Sequence, residues 1–250
     1  MKEKLIILIL LITHCSIGQS LSGYADYNKK SIVNDSLLKN NDDIDPEIVR
    51  TIQKASNNLE KTNYRLYFND LIGKYEKIKS LSSDSESKLS INMSKLLSGF
   101  IGNSAFYSKK DRIIIITEEI YGEKILIKTS FDSLNWKLTN DTKIISNLTC
   151  YKAKTKKSVE GRSGKKVIEI IAWYAPEINL PYGPDGYGGL PGLIVQLQKE
   201  NIITFLKKIE FQDEMMKLKL PNKGRVMTET EFNALMKDAV INRRKHYRKN

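Results

Sequence analysis

The stretch that decides this fold is residues 183–194, which read Gly-Pro-Asp-Gly-Tyr-Gly-Gly-Leu-Pro-Gly-Leu-Ile. Five glycines and two prolines fall within these twelve residues. Glycine is needed where φ is positive or where another group approaches the backbone closely, and proline fixes φ and removes a backbone donor. The composition therefore predicts a segment with one defined backbone shape. Two interpretations are open: a rim that shapes the mouth of a groove, or a glycine-rich corner at which a sheet bends.

Short runs rich in β-branched residues lie on both sides of this stretch. They are residues 113–117, 124–129, 142–151, 166–174, 192–198 and 202–212, with a further run at 22–31. A tight turn is predicted at Asn140-Asp141, and Pro191 predicts that the strand following it begins at a sheet edge or a bulge. The pattern predicts one curved, half-barrel-like antiparallel β-sheet of about seven strands.

Two amphipathic helices, one N-terminal and one C-terminal, are predicted to pack on this sheet. Asp45 is the expected N-cap of the first helix, with Pro46 in its first turn. Thr228 and Glu231 have the spacing of a capping box at the start of the second helix. Helices packed on an antiparallel sheet define an α+β fold, so residues 19–250 are predicted to form a single α+β domain.

Further short motifs accompany the glycine-rich stretch. They are Thr149-Cys150-Tyr151-Lys152-Ala153, Gly161-Arg162, Ala172-Trp173-Tyr174-Ala175-Pro176, and Gly183-Pro184 ahead of Gly189-Leu190-Pro191-Gly192-Leu193-Ile194. In this order they resemble the GLPGLI family of secreted bacterial proteins, which has no assigned biochemical activity. The resemblance implies an exported, β-rich protein and no mechanism. The candidate residues of a motif loop and binding rim are Arg162, Trp173, Tyr174, Gly183, Pro184, Tyr187, Gly189, Leu190, Pro191, Gly192, Leu193 and Ile194.

The first eighteen residues have the pattern of an export signal peptide. Lys2 and Lys4 precede an apolar run at 5–12, and Gly18 is the small residue ahead of a cut before Gln19. The apolar run is too short to span a bilayer, which needs about 20 residues. The sequence therefore predicts export to the periplasm or the outer envelope.

Lipidation at Cys15 is the alternative to cleavage before Gln19. His14 stands where a lipoprotein signal has a small residue, so a soluble protein is favoured over a lipid-anchored one. Cleavage removes Cys15 and leaves Cys150 as a single thiol, so the fold is expected to depend on packing rather than on disulfides.

The chain carries a formal net charge of +12, and its densest basic cluster lies at the C-terminus. This tail, residues 242–250, contains Arg243, Arg244, Lys245, Arg248 and Lys249. An arginine-rich groove with interleaved aromatic residues is missing, so nucleic acid is not the expected partner. A simply solvated tail is the favoured interpretation, and contact with an anionic membrane surface or polysaccharide is the alternative.

Catalytic residues, cofactors and metal ions are not predicted. Cys150 is a candidate thiol site, but a reactive cysteine needs a base or a cation to lower its pKa. His246 in the basic tail is the one histidine beyond the signal. Zinc sites need more His or Cys ligands than this, and the acidic run Asp42-Asp43-Asp45 lacks the glycine and distal glutamate of a calcium loop.

The leading functional hypothesis is a non-enzymatic accessory protein of the envelope. It would bind an apolar ligand or a partner segment in the concave face of the sheet. One alternative is a hydrolase that uses carboxylates or Cys150. Another is a structural or adhesive component docked through a sheet edge marked by Pro191. The oligomeric state is not predicted.

Overall fold

The computed structural model describes residues 21–32, 45–78, 104–120, 122–161 and 164–237, with side chains described except at 159–161 and 164–165. Several predicted features lie outside the described residues. These are the signal peptide with Cys15 and Gln19, Asp42 and Asp43, Arg162, His246, and the basic tail with Arg243, Arg244, Lys245, Arg248 and Lys249.

The described residues form one large open sheet of twelve strands. The strands are β1 Gly23–Ser31, β2 Asn63–Phe68, β3 Ile72–Lys77, β4 Ser104–Ser108, β5 Ile113–Ile120, β6 Glu123–Ser130, β7 Lys137–Ile145, β8 Leu148–Gly161, β9 Gly164–Ala175, β10 Leu193–Lys199, β11 Ile202–Phe211 and β12 Arg225–Thr228. Their order is β12-β6-β5-β4-β3-β2-β1-β11-β10-β9-β8-β7. Strand β12 pairs in parallel with β6, and the other neighbouring pairs are antiparallel.

The predicted α+β character is confirmed, but the prediction of about seven strands is wrong. Strand β3 reads Ile-Gly-Lys-Tyr-Glu-Lys, and its buried residues are Gly73 and Tyr75, so its apolar alternation is too weak to stand out. Strand β12 has four residues with Met227 alone buried, and its pairing depends on a partner distant in sequence. Strands of this kind form because pairing with neighbouring strands stabilises them, although their own residues give only a weak strand pattern.

The predicted turn at Asn140-Asp141 is also wrong, because β7 continues through both residues. The chain reverses instead at Ser146 and Asn147, between the paired residues Ile145 and Leu148. Both turn residues have positive φ, 51° and 63°. Two consecutive positive φ values are what a two-residue hairpin turn requires. At the predicted position, between Leu138 and Thr142, the structure has a shift in the register of β7 against β8 rather than a turn.

Two helices accompany the sheet. Helix α1, Pro46–Lys61, begins as predicted, since the Asp45 carboxylate accepts a hydrogen bond from the Glu47 amide at 2.8 Å. Helix α2 starts at 229 and is described to 237. The predicted capping box is present, because the Thr228 amide donates to Glu231 at 2.7 Å. Helix α2 places Phe232 in a small cluster with β6 residues.

The sheet curves so that its two ends approach each other. The Thr155 hydroxyl on β8 donates to the Leu134 carbonyl, in the segment that follows β6. The Lys157 ammonium group on β8 lies 2.5 Å from the Glu229 carboxylate at the start of α2. We call the concave side of this curve the inner face. It contains the main core cluster, with Ala25, Tyr27, Leu66, Tyr75, Tyr107 and Leu206 among its members.

Candidate functional site

The connection from β9 to β10, residues 176–192, folds back on itself between the two strands. The amides of Leu193 and Ile194 at the start of β10 donate to the carbonyls of Ile178 and Tyr182, each at 3.0 Å. The Gly189 amide donates to the Pro181 carbonyl at 2.9 Å. These bonds give the segment, which we call the motif loop, the defined backbone shape that its composition predicts.

The motif loop lies across the inner face of the sheet and is buried there. The Tyr27 hydroxyl on β1 donates to the Ile194 carbonyl at 2.8 Å, just beyond the loop. The Tyr107 hydroxyl on β4 donates to the Gly183 carbonyl and accepts from the Gly186 amide. From the segment before β7, the Trp136 indole donates to the Gly188 carbonyl at 2.9 Å. Groups from distant strands therefore satisfy the polar backbone of the loop, which allows it to be buried.

Asp185 in the middle of the loop is paired with Lys29 on β1. The Lys29 ammonium group lies 2.6 Å from the Asp185 carboxylate, and the two side chains are 0% and 4% exposed. The Thr204 hydroxyl on β11 donates to the other carboxylate oxygen at 3.0 Å. The Lys29 ammonium group also lies over the Tyr64 ring, 4.5 Å from its centroid. This buried ion pair fastens the loop to the centre of the sheet.

The tyrosines around the loop are held in their neutral form. Burial raises the pKa of Tyr27, Tyr107 and Tyr187 above the usual range of tyrosine. Protonated hydroxyls of this kind donate to carbonyls, as Tyr27 and Tyr107 do. The hydroxyls of Tyr27 and Tyr107 therefore satisfy carbonyl groups of the buried chain between Gly183 and Ile194.

The stability of this region is expected to depend on pH because of Lys199, at the end of β10. Burial lowers the pKa of its ammonium group to about 8, and the nearby Asp185 charge opposes that change. An unfolded lysine titrates at about 10.4, so the unfolded chain binds more protons between these two values. The free energy of unfolding therefore rises as the pH increases from about 8 to 10, because the lysine's unfavourable charge is lost from the native state.

Replacing Lys199 with methionine is expected to remove this pH dependence. At pH 7 the variant should be more stable than the unmodified protein by about 1–3 kcal/mol, and the difference should shrink towards pH 10. Urea unfolding of the variant and the unmodified protein at pH 7 and at pH 10 measures this difference in the free energy of unfolding. Lys207→Met, at an exposed position of β11, is the matched control and should show no such trend. A difference that stays constant from pH 7 to pH 10 would contradict the assignment.

The predicted rim residues divide between the inner face and the opposite, outer face. Most of the predicted residues in the loop and at the start of β10 are buried. They are Gly183, Pro184, Tyr187, Leu190, Gly192, Leu193 and Ile194, whereas Gly189 is half-buried. Tyr174 belongs to the inner cluster around Tyr187, whereas Trp173, its neighbour on β9, points to the other side of the strand, where it packs against part of the main core cluster and contacts Lys143. The proposed rim is therefore not one continuous surface.

Pro191 does not mark an edge of the sheet, contrary to one alternative in the sequence analysis. Strand β10, which follows it, lies between β9 and β11. The other alternative, a bulge, fits: the register of β10 against β9 shifts between Ile194 and Gln196. The proline itself is exposed in the turn ahead of the strand, where no ladder bond is needed.

Cys150 is a buried core residue in β8. Its side chain is 0% exposed, and its thiol donates to the Leu148 carbonyl at 3.3 Å. Burial raises the pKa of the thiol above its ordinary value, and the nearby Lys143 charge only partly opposes this. A nucleophilic cysteine needs the reverse, a lowered pKa and access to solvent.

A shallow groove of about 480 Å³ lies where β8 and β9 meet the motif loop. Its lining residues are Thr149, Tyr151, Tyr174, Pro176 and Glu177. The rings of Tyr151 and Tyr174 lie 6.1 Å apart, and the Glu177 carboxylate accepts from the Thr149 amide at 3.0 Å. The sequence pattern does not indicate this groove, although Tyr151 and Tyr174 both stand in the short motifs that accompany the glycine-rich stretch.

Three exposed apolar side chains accompany the groove. Leu138, Ile144 and Tyr151 are 57%, 76% and 39% exposed. Leu138 and Ile144 pair across β7 and β8 with Ala153 and Thr149, which lie on the same face as Tyr151. We call these three side chains and the adjoining groove the β7–β8 patch.

Within the described ranges, no group of three or more His, Cys, Asp or Glu side chains is arranged to hold a metal ion. The helices among these residues lack the combination of length and apolar character that crossing a bilayer requires.

Comparison with families and solved structures is consistent with the fold described above. A family model described as "Protein of unknown function (Porph_ging)" matches residues 154–196, which run from β8 through the motif loop into β10. The match relates this segment to an uncharacterised family and does not itself bear on the GLPGLI name. None of the curated proteins matches the chain.

Among solved structures, that of PNGF-II in space group P21 aligns with a TM-score of 0.50 at 11% identity, over 87% of this chain and 33% of that chain. PNGF-II in space group C2 aligns with a TM-score of 0.49 at 11% identity, over 84% of this chain and 31% of that one. The chain thus spans about a third of the length of PNGF-II. At this identity the likeness concerns the fold alone.

Proposed function

We propose that this chain is an exported, non-enzymatic accessory protein of the bacterial envelope that docks an extended segment of a partner protein. The docking site is the β7–β8 patch. The observation that carries the proposal is the grouping of Leu138, Ile144 and Tyr151 on one face, beside a groove. Contiguous exposed apolar side chains with polar surroundings are typical of interaction sites, whereas single ones need no explanation.

The position of β7 supports an extended partner. This strand stands at one end of the sheet order, so in the described part of the chain no strand pairs with its outer side. An exposed sheet edge can accept an added strand, with neighbouring pockets selecting alternate side chains. Residues 142–145 pair regularly with β8. The preceding part of β7 is less suited to accept a strand, because its register against β8 shifts after Leu138 and because Asp141 places a charge there. The added strand is therefore expected along 142–145.

The inner face is a poorer candidate for an apolar ligand, because the motif loop occupies it. Tyr182, Tyr187 and Leu190 are at most 5% exposed there. A ligand would have to displace the loop together with the buried pair of Lys29 and Asp185. A hydrolase using Cys150 is disfavoured by the burial and raised pKa of that thiol.

A photo-reactive amino acid at position 144 tests the proposal in the cell that makes the protein. We expect a protein adduct of discrete mass from position 144, and its loss when Leu138→Lys is added. Val167 is the matched control, since it is 63% exposed on the opposite face of β9. Equal adducts from positions 144 and 167, or none from position 144, would overturn the proposal.

A further inference from the structure

The outer face of the sheet, away from both the motif loop and the β7–β8 patch, carries a row of side chains that crosses five strands. Successive cross-strand partners in this row are Lys152 on β8, Trp173 on β9, Gln196 on β10, Phe205 on β11 and Asn28 on β1. Neighbouring strands lie about 4.8 Å apart, so the row spans about 19 Å. Rings, amides and an ammonium group thus lie along one line.

Three ammonium groups are gathered along this row. Lys143 reaches over from β7, so that its ammonium group lies 4.1 Å from the Trp173 ring centroid and donates to the Gln196 amide oxygen at 3.2 Å. Lys152 approaches the same ring at 5.7 Å. From the β1 end, Lys30 lies over the Phe205 ring at 5.9 Å. Cations from opposite ends of the row therefore point towards Gln196.

The positive charges in the row outnumber the negative ones. Asp141 pairs with Lys152 at 2.8 Å and neutralises that one lysine. Lys154 and Lys156 continue the same face of β8, where Glu169 on β9 stands opposite Lys156. Burial lowers the pKa of Lys143, and the charges of Lys152 and Lys30 lower it further. Like charges held this closely repel each other, and a bound anion would relieve that repulsion.

We propose that this row binds an acidic polysaccharide, with Lys143 and Lys30 contacting its carboxylates and Gln196 its hydroxyl groups. Three features favour a polysaccharide over a lipid surface. The rings of this face lie among ammonium groups, the Gln196 amide can donate to and accept from hydroxyls, and the half-buried Trp173 and Phe205 do not protrude as a membrane anchor would. The row is long enough for several sugar units, so weak contacts can add along one chain.

Polygalacturonate is the probe, tested by calorimetry at low salt with the full mature chain. We expect saturable binding that weakens steeply as NaCl is added, and no binding to neutral dextran. Lys143→Gln is expected to weaken binding about five- to tenfold, equivalent to the loss of about 1–1.4 kcal/mol. Lys110→Gln, which makes the same charge change at an exposed position between β4 and β5, should change it less than twofold.

Each alternative outcome counts against the proposal. Equal weakening by Lys143→Gln and Lys110→Gln would mean that only net charge matters. Binding to vesicles of anionic phospholipid without binding to polygalacturonate would make the row a membrane contact. The proposal would also be overturned if the folded, unsubstituted protein did not bind polygalacturonate. Because this row and the β7–β8 patch lie on opposite faces, failure of one proposal leaves the other standing.

Discussion

Replacing Asp185 with asparagine is expected to lower the free energy of unfolding by about 3–5 kcal/mol. Asparagine keeps the shape of the side chain and can still accept a hydrogen bond from Thr204. It also tolerates the left-handed backbone at this position, where φ is 58°. What it removes is the negative charge 2.6 Å from the fully buried Lys29 ammonium group. A charge left without its partner in the interior must be neutralised or hydrated, and either costs stability.

The double variant Lys29→Met, Asp185→Asn separates the ion pair from the loop geometry. Removing one member of a buried pair leaves an uncompensated charge, whereas the double variant leaves neither charge in the interior, so it should recover most of the stability lost in Asp185→Asn. Urea unfolding at pH 7, with unchanged m-values, gives the free energies. Asp132→Asn removes the partner of Arg112 in an exposed pair and should shift the midpoint far less. Equal losses in the single and double variants would show that the pair is not what holds the loop.

Much of the local structure could be predicted from the sequence, because it depends on residues close together in the chain. The Asp45 cap and the Thr228–Glu231 box require only a favourable side chain within three residues of a helix start. Strands β5, β6, β9, β10 and β11 appear in their runs of β-branched residues.

The buried ion pair could not be predicted in the same way. In the sequence, Asp185 is one residue of a glycine-proline turn, and Lys29 is one lysine among many in a basic chain. One signal existed: Lys29 follows Ala25 and Tyr27 at the alternation of a half-buried strand, which places it on the inner face. Its partner, however, depends on the curvature of a sheet assembled from strands far apart in sequence. The row around Trp173 was missed for the same reason, since its register joins five strands.

Replacing Gly189 with alanine is expected to cost about 2–5 kcal/mol, and the reason can be separated into two parts. The first is backbone strain, because φ is +82° at this position and an L-residue there costs about 1–2 kcal/mol. The second is overpacking, typically about 1–3 kcal/mol, because an added Cβ would lie 2.7 Å from the Cβ of Phe131. Phe131 is 2% exposed in the main core cluster and has little room to move.

Gly122 offers a matched control for the backbone part. Its φ is also +82°, yet an added Cβ would meet nothing within 4 Å. Gly122→Ala should therefore lose only the strain of about 1–2 kcal/mol. The excess loss in Gly189→Ala then measures how closely the motif loop is packed against Phe131. That excess should persist in a Phe131→Leu background, because leucine keeps the Cβ that lies 2.7 Å from the new methyl group. Equal losses for the two glycines would mean that Gly189 serves the turn alone and that the loop is not pressed against the core.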